Sequence, residues 1–172
     1  MGRCLCIAVK LSSPNERFQV TSEAGEVLYE CTSNFRRFNP LWTLTRDGTQ
    51  VAEFRRAILS WAPTWKVTSV YGDYRLRQKL SVLRRVIVQG GSFDGAELTG
   101  TLLNMDFNVT FREGKIARAQ RRLFLDRART FIDLVEETPE AEILTVVLMA
   151  NHLVEQTREG TEEGFTHNQE AM

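Results

Sequence analysis

Basic side chains are the residues of this sequence whose types and spacing point most directly to chemistry. Arginine binds phosphate oxygens through paired, charge-assisted hydrogen bonds, and lysine binds them as a point charge. Three basic residues alternate with apolar ones between Tyr74 and Val82, so they share one face of a predicted strand. Two further pairs occupy matching places in two similar segments. The candidate phosphate-binding residues are Arg55, Arg56, Arg75, Arg77, Lys79, Arg121 and Arg122.

Other side chains with catalytic potential have ordinary structural explanations. No serine stands in a Gly-x-Ser-x-Gly motif, and the segment GGSFDG lacks the Gly-Lys-Ser or Gly-Lys-Thr of a P-loop. Acidic pairs lie in predicted loops or at a helix start, where they aid solubility or face the helix dipole. These pairs are Asp94 with Glu97, Glu136 with Glu137, and Glu140 with Glu142. We expect no catalytic residue and no cofactor.

The three cysteines form neither a metal site nor a disulfide framework. Cys4 and Cys6 alternate with Leu5 and Ile7 in an apolar strand, which favours small buried side chains over ligands. Only two histidines and no Cys-x-x-Cys pair are available, so a zinc site with four ligands is not expected. An odd cysteine count without a signal peptide indicates a reducing, cytoplasmic compartment.

The formal net charge of zero conceals an uneven distribution along the chain. Residues 36–129 contain 18 Lys and Arg against 8 Asp and Glu, whereas the two ends together contain 4 basic and 14 acidic residues. A basic middle is typical of a surface that meets phosphate groups, and the alternative is a solvated exterior balanced by nearby acids. The sequence pI of about 6.8 makes nucleic acid the weaker alternative as a partner.

Short strands account for most of the chain. Apolar residues alternate with small or polar ones near the amino terminus, which is the pattern of a half-buried strand. The dipeptide Asp47-Gly48 suits the type I′ turn of a hairpin. In the segment from Tyr74 to Val82, the predicted core face contains Tyr74, Leu76, Leu80 and Val82.

A self-comparison identifies two similar units 66 residues apart. The segment GTQVAEFRRAILSWAPTW from Gly48 to Trp65 resembles GKIARAQRRLFLDRARTF from Gly114 to Phe131, with register shifts of one residue. In each unit a glycine turn precedes an apolar residue and alanine, then an arginine-containing pair, an aliphatic run, and threonine followed by an aromatic residue. Repeated β-units favour a sheet that closes on itself, which also removes exposed strand edges.

One segment departs from the β pattern and predicts an α-helix from Pro139 to about Gln156. Thr138 can cap it, and proline suits its first turn. The apolar residues from Ile143 to Ala150 leave almost no polar face. The stretch from Ala141 to Val154 has only 14 residues and includes polar ones, whereas a spanning helix needs about 20 apolar residues. We therefore expect a helix buried in the protein core and no transmembrane segment.

The order of these features resembles the LURP-one-related proteins, including bacterial YxjI-type members. This family shares the tubby C-terminal-like fold with tubby proteins and phospholipid scramblases. The resemblance runs from about Arg17 to Gln156. It rests on Phe18, Val20 and Gly25 in the first hairpin, Gly48 to Ala52 with Arg55 and Arg56, Leu59-Ser60, Pro63-Thr64-Trp65, Arg129-Thr130-Phe131, and the apolar helix.

The resemblance implies a mainly β fold, a closed antiparallel barrel of about a dozen strands around the central hydrophobic C-terminal α-helix. We expect this domain over residues 1–157, followed by an acidic flexible tail over residues 158–172. The resemblance implies no established enzyme activity. The hallmarks of scramblases, such as a run of cysteines for acylation, are missing, which argues against lipid scrambling and calcium binding.

We expect a non-enzymatic binding or scaffold module, located in the cytoplasm or at the periphery of a membrane. Its basic residues would dock on anionic phospholipid or phosphoinositide headgroups, or on a protein partner. Tubby relatives bind phosphoinositide headgroups, which favours the first of these, although the seven basic residues come from charge and not from a matched motif. The alternative is a small-ligand carrier or an enzyme with an unrecognised cleft.

Overall fold

The computed structural model describes residues 2–10, 17–34, 39–101, 105–124 and 127–169, with the backbone alone for residues 9–10, 127 and 159–169. Strands and one long helix make up most of these residues. The strands are β1 (Arg3–Lys10), β2 (Arg17–Ser22), β3 (Val27–Ser33), β4 (Trp42–Arg46), β5 (Thr49–Arg56), β6 (Thr64–Ser69), β7 (Gly72–Gln78), β8 (Arg85–Gln89), β9 (Glu97–Gly100), β10 (Asp106–Phe111), β11 (Gly114–Phe124) and β12 (Arg127–Leu134). The helix α1 spans Pro139–Gln169.

The strands form one closed antiparallel barrel in which each strand pairs with its neighbours in sequence. Closure comes from β1 and β12, which pair in register from Arg3 opposite Leu134 to Lys10 opposite Arg127. The prediction of a closed antiparallel barrel of about a dozen strands with a C-terminal helix is therefore confirmed.

A two-residue hairpin turn lies at or just before the start of each of the two similar sequence units. Asp47 (φ 51°) and Gly48 (φ 75°) make the tight turn between β4 and β5, as the dipeptide predicts. Pairing shifts by one residue after Leu44 in the first hairpin and after Val109 in the second, 65 positions later. A bulge bends and twists its strand, so the repeated bulge curves the sheet toward closure at two places.

The helix α1 occupies the barrel interior, as its apolar sequence predicts. Every residue from Ala141 to Glu155 is buried, and side chains from strands around the barrel contact it. Two buried carboxylates fix its position because each accepts hydrogen bonds from the wall. Glu142 accepts from Tyr29 Oη at 2.6 Å and from Arg3 Nη1 at 2.8 Å, and Glu155 accepts from Trp65 Nε1 at 2.7 Å. The polar partners compensate the cost of burying both acids.

The helix is longer than the sequence pattern predicts, since it ends at Gln169 and not near Gln156. Glutamate, glutamine and arginine are good helix formers and no proline interrupts residues 157–169, so the helix continues despite two glycines. The predicted end of the helix near Gln156, before the predicted tail over residues 158–172, is therefore wrong. The flexibility of that tail stays a prediction.

The strand β7 is shorter than predicted and ends at Gln78. Leu80 and Val82 consequently do not belong to the core face and are 90% and 91% exposed. Pairing between β6 and β7 stops at this point because Pro63, which precedes β6, has no N–H to donate. Its carbonyl accepts a last hydrogen bond from the Gln78 amide at 2.9 Å.

Cys4 and Cys6 lie on the outer face of β1 and are partly exposed, so the prediction that they are buried is wrong. The inward positions of β1 belong to Leu5 and Ile7, which are almost fully buried. Cys31, in contrast, points into the core from β3.

Candidate functional site

Four basic side chains on β5, β6 and β7 share the outer wall of the barrel. They face outward because the alternate positions of these strands are buried, among them Phe54, Trp65 and Leu76. The strand register aligns three of them in one row and places the fourth two residues closer to the end of β7. The row is Arg55 opposite Lys66 and Lys66 opposite Arg75, and the fourth residue is Arg77. Because adjacent strands lie about 4.8 Å apart, the row spans roughly 10 Å.

These four side chains line a groove of about 660 Å³, and we call it the basic groove. The β5–β6 connection, residues 57–63, forms its other wall. Backbone hydrogen bonds hold this connection, from the Ala57 amide to the Thr64 carbonyl at 2.7 Å and from the Gln78 amide to the Pro63 carbonyl at 2.9 Å. The groove is therefore a shaped part of the surface with a fixed base.

No acidic side chain is among the residues that line the basic groove, and Asp73 lies beside Lys66 and Arg75 in the adjoining depression. Within the described part of the chain, no ion pair involves Arg55, Lys66, Arg75 or Arg77. The Nε atom of Arg55 is buried and has no hydrogen-bond partner among the described residues. Like charges directly opposite each other on adjacent strands destabilise a sheet, so this arrangement costs folding free energy that an anionic ligand would offset.

Charge on this wall changes sign along the strands. The next outward row, on the side away from the β5–β6 connection, contains Glu53 and Asp73 on either side of Thr68. The positive charge is thus concentrated toward the end of the barrel that bears residues 57–63 and the β7–β8 connection, residues 79–84. We call this end the loop rim.

The structure brings together some of the seven predicted residues and separates the others. Arg55, Arg75 and Arg77 lie in the basic groove, and Lys79 follows them at the loop rim beside Arg77 and Leu80. Arg56 borders the groove but also approaches the helix, with its Nε atom 3.8 Å from Glu155 Oε1.

Arg121 and Arg122 lie elsewhere, so the expectation that closure would gather the two repeated pairs is wrong. They belong to β11, which is six strands from β5 and therefore on the opposite side of the barrel. Arg121 Nη1 donates to Gln156 Oε1 at 2.7 Å, and the Arg122 guanidinium lies 5.3 Å from the centre of the Phe131 ring. Both contacts stabilise the wall and the helix.

Lys66 is the groove residue that sequence reasoning missed. It alternates with Trp65 and Val67, both buried, and this pattern in itself predicts an outward side chain. Its place between Arg55 and Arg75 depends on the pairing of β6 with β5 and with β7. The alternation of apolar and polar residues along β6 gives no information about that pairing.

Three of the acidic residues considered as catalytic candidates, Asp94, Glu97 and Glu142, have structural partners. Glu97 Oε1 accepts from Arg85 Nε at 2.5 Å, and this contact lowers the pKa of Glu97. Asp94 accepts from the Gly90 amide at 2.7 Å, and Glu142 binds Tyr29 and Arg3 inside the barrel. In the ranges that the structure covers, no three His, Cys, Asp or Glu side chains are grouped in a way that could hold a metal ion.

Comparison with solved structures identifies a similar fold in a protein from Arabidopsis thaliana. The X-ray structure of that protein aligns with a TM-score of 0.54 and 15% sequence identity, over 87% of this chain and 91% of that chain. At this identity the similarity concerns the fold alone. No family model matches the sequence, and no curated protein matches it. Among the described residues, no helix is long and apolar enough to cross a membrane.

Proposed function

We propose that this protein is a non-enzymatic module that docks on anionic phospholipid headgroups through the basic groove. One observation carries the proposal: Arg55, Lys66, Arg75 and Arg77 line a groove of about 660 Å³ that contains no acidic side chain. Guanidinium groups bind phosphate oxygens in pairs, and the roughly 10 Å row can contact more than one phosphate.

The family stays part of this proposal. The order of motifs resembles the LURP-one-related proteins, and a twelve-stranded barrel around a C-terminal helix agrees with the fold that this resemblance implies. We therefore propose membership of that group, with phosphoinositides as the first headgroups to test among anionic lipids.

A small-ligand carrier receives less support from the arrangement of the core. The helix α1 fills the barrel, and the cavity beside Tyr74 measures about 20 Å³, which is room for about one water molecule. The basic groove on the outer wall, at about 660 Å³, offers far more room for a ligand than this cavity.

Vesicle binding tests the proposed function. Wild-type protein should co-sediment with vesicles containing phosphatidylserine or phosphoinositides at low salt, less at physiological salt, and not with neutral phosphatidylcholine vesicles. Each basic residue near an anionic surface contributes on the order of 1 kcal/mol, so the variant Arg55→Glu, Arg75→Glu, Arg77→Glu should lose about 100-fold or more in affinity. The parallel variant Arg75→Glu, Arg77→Glu, Lys79→Glu should behave in the same way.

A matched variant with the same charge change controls for net charge. Arg112, Lys115 and Arg118 are exposed on the opposite side of the barrel, and their replacement by glutamate should reduce binding far less. Equal losses in the groove and control variants, or no binding of wild type to anionic vesicles at low salt, would refute the proposal. Binding to DNA or to a protein with no binding to vesicles would assign the groove to another partner.

A further inference from the structure

The loop rim exposes large apolar side chains beside the basic groove. Trp61 is fully exposed, and its four companions are between 81% and 96% exposed. Every other large apolar side chain in the described part of the chain is at most 66% exposed. The five residues, which we call the apolar rim, are Ile58, Leu59 and Trp61 in the β5–β6 connection and Leu80 and Val82 in the β7–β8 connection.

The apolar rim and the basic groove form one continuous surface. Ile58, Leu59 and Trp61 line the groove together with Arg75 and Arg77. Arg77 also lines a second depression with Lys79 and Leu80 from the neighbouring connection. The cations therefore lie directly behind the apolar side chains of both loops.

The side chains of the apolar rim are unfavourable in water, and they are not buried against other parts of the described chain. The bases of both loops are held by backbone hydrogen bonds, including one from the Lys79 amide to the Arg85 carbonyl at 2.8 Å, while the tips contact solvent. A patch of exposed apolar residues beside a charged surface marks an interaction site. A bilayer offers matching layers, with anionic headgroups outside and acyl chains below them.

We infer that the apolar rim inserts below the headgroups of an anionic bilayer while the basic groove binds the phosphates above it. This inference rests on the proposed function and names the depth and orientation of its membrane contact. Tryptophan favours the membrane interface because its ring is amphipathic, which suits the position of Trp61 at the tip. Leu59 and Leu80 would contribute the largest aliphatic area.

Intrinsic fluorescence gives a direct test, because Trp61 is exposed whereas Trp42 and Trp65 are at most 2% exposed. Addition of phosphatidylserine vesicles should shift the emission of wild-type protein to shorter wavelengths, and brominated acyl chains should quench it. The Trp61→Phe variant, compared at a vesicle concentration at which co-sedimentation shows it fully bound, should show neither the shift nor the quenching. Vesicle binding with unchanged Trp61 emission would overturn the inference and leave the proposed function intact.

Polar substitution of the rim gives a second readout. Leu59→Gln with Leu80→Gln should weaken vesicle binding roughly 10- to 100-fold, since each leucine loses favourable transfer into the lipid. Its salt dependence should persist, because the cations are unchanged. The control variant Val70→Gln with Val135→Gln changes two exposed valines outside the loop rim and should bind like wild type. Equal affinities for the rim and control variants would contradict insertion.

Recruitment by a tag separates the two proposals. Histidine-tagged protein held on phosphatidylserine vesicles by nickel-chelating lipid reaches the bilayer surface without help from the groove, and the apolar rim can then insert. Quenching of Trp61 by brominated lipid in these vesicles would support insertion. If untagged protein did not bind anionic vesicles in the same experiment, the proposed function would be refuted and the insertion would not. Absence of quenching on these vesicles would refute insertion. Dimerisation of wild type but not of the Leu59→Gln, Leu80→Gln variant would assign the rim to a second copy of this chain.

Discussion

At the scale of single residues, burial in the barrel changes the protonation of His152. It is 1% exposed, and its ring lies 4.5 Å from that of Phe107. Burial, and then the positive charges of Arg84 and Arg121, lower the pKa of His152 to about 3. Neither ring nitrogen has a hydrogen-bond partner among the described residues, so the folded protein holds the imidazole neutral.

The lowered pKa predicts a pH-dependent stability. In the unfolded chain the imidazole binds a proton below its ordinary pKa of about 6.5. In the folded protein it stays unprotonated down to about pH 3. The free energy of unfolding should therefore fall by about 1.4 kcal/mol per pH unit below about 6.5, and this group should have no effect above that pH.

Urea unfolding of wild type and His152→Leu between pH 7.5 and 4.5 isolates this contribution. Other titrating groups contribute equally in both proteins. As the pH falls below about 6.5, the free energy of unfolding of the variant should therefore increase steadily relative to that of wild type. Parallel pH profiles for the two proteins would contradict the prediction.

At the scale of elements, α1 shows how a helix can form the centre of a β protein. The Thr138 hydroxyl accepts a hydrogen bond from the Ala141 amide at 3.3 Å, which caps the start of the helix. From there mainly apolar residues follow, and the wall buries every residue from Ala141 to Glu155. The barrel would have no packed interior without this helix, and the helix would expose its whole apolar surface without the barrel.

Charge inside this element should unfold the protein. Val147 is fully buried, so Val147→Asp places a carboxylate in an apolar interior without a partner and should cost several kcal/mol. We expect a large drop in melting temperature or loss of soluble protein. Val135→Asp, at a position that is 60% exposed, should change stability by about 0.5 kcal/mol or less. An unchanged melting temperature for Val147→Asp would refute the central position of α1.

At the scale of the whole molecule, closure depends on a contact between the two ends of the strand series. The strand β1 pairs with β12 on one side and β2 on the other, so it removes two edges that would otherwise be open. Arg3 on β1 also donates to Glu142 of the helix, which links closure to helix position.

Removal of β1 should therefore open the barrel. Deletion of residues 1–10 leaves unpaired backbone groups on β2 and β12 and removes Leu5 and Ile7 from the core. We expect aggregation in size-exclusion chromatography and no cooperative thermal transition. The variant Cys4→Ser, Cys6→Ser keeps β1 and changes only partly exposed outward positions, so it should remain monodisperse and fold cooperatively. A cooperative transition in the deletion variant would show that closure is dispensable.

The sequence alone determines the features that depend on neighbouring residues. Alternation of apolar and polar residues identifies strands and their inward faces, as for Arg75 and Arg77 against Leu76. The dipeptide Asp47-Gly48 specifies a turn, and the mainly apolar stretch from Ile143 to Ala150 specifies a buried helix. These patterns are local because backbone geometry and side-chain direction repeat over a few residues.

Only the tertiary structure decides which outward faces become neighbours. The row from Arg55 through Lys66 to Arg75 exists because three strands pair in one register, and closure separates Arg121 and Arg122 from it by half the barrel. The end of β7 before Leu80 likewise depends on Pro63 of the adjacent connection. An alternating pattern shows which side of a strand faces water but not where that strand lies around the barrel, because its position is set by pairing with residues distant in sequence.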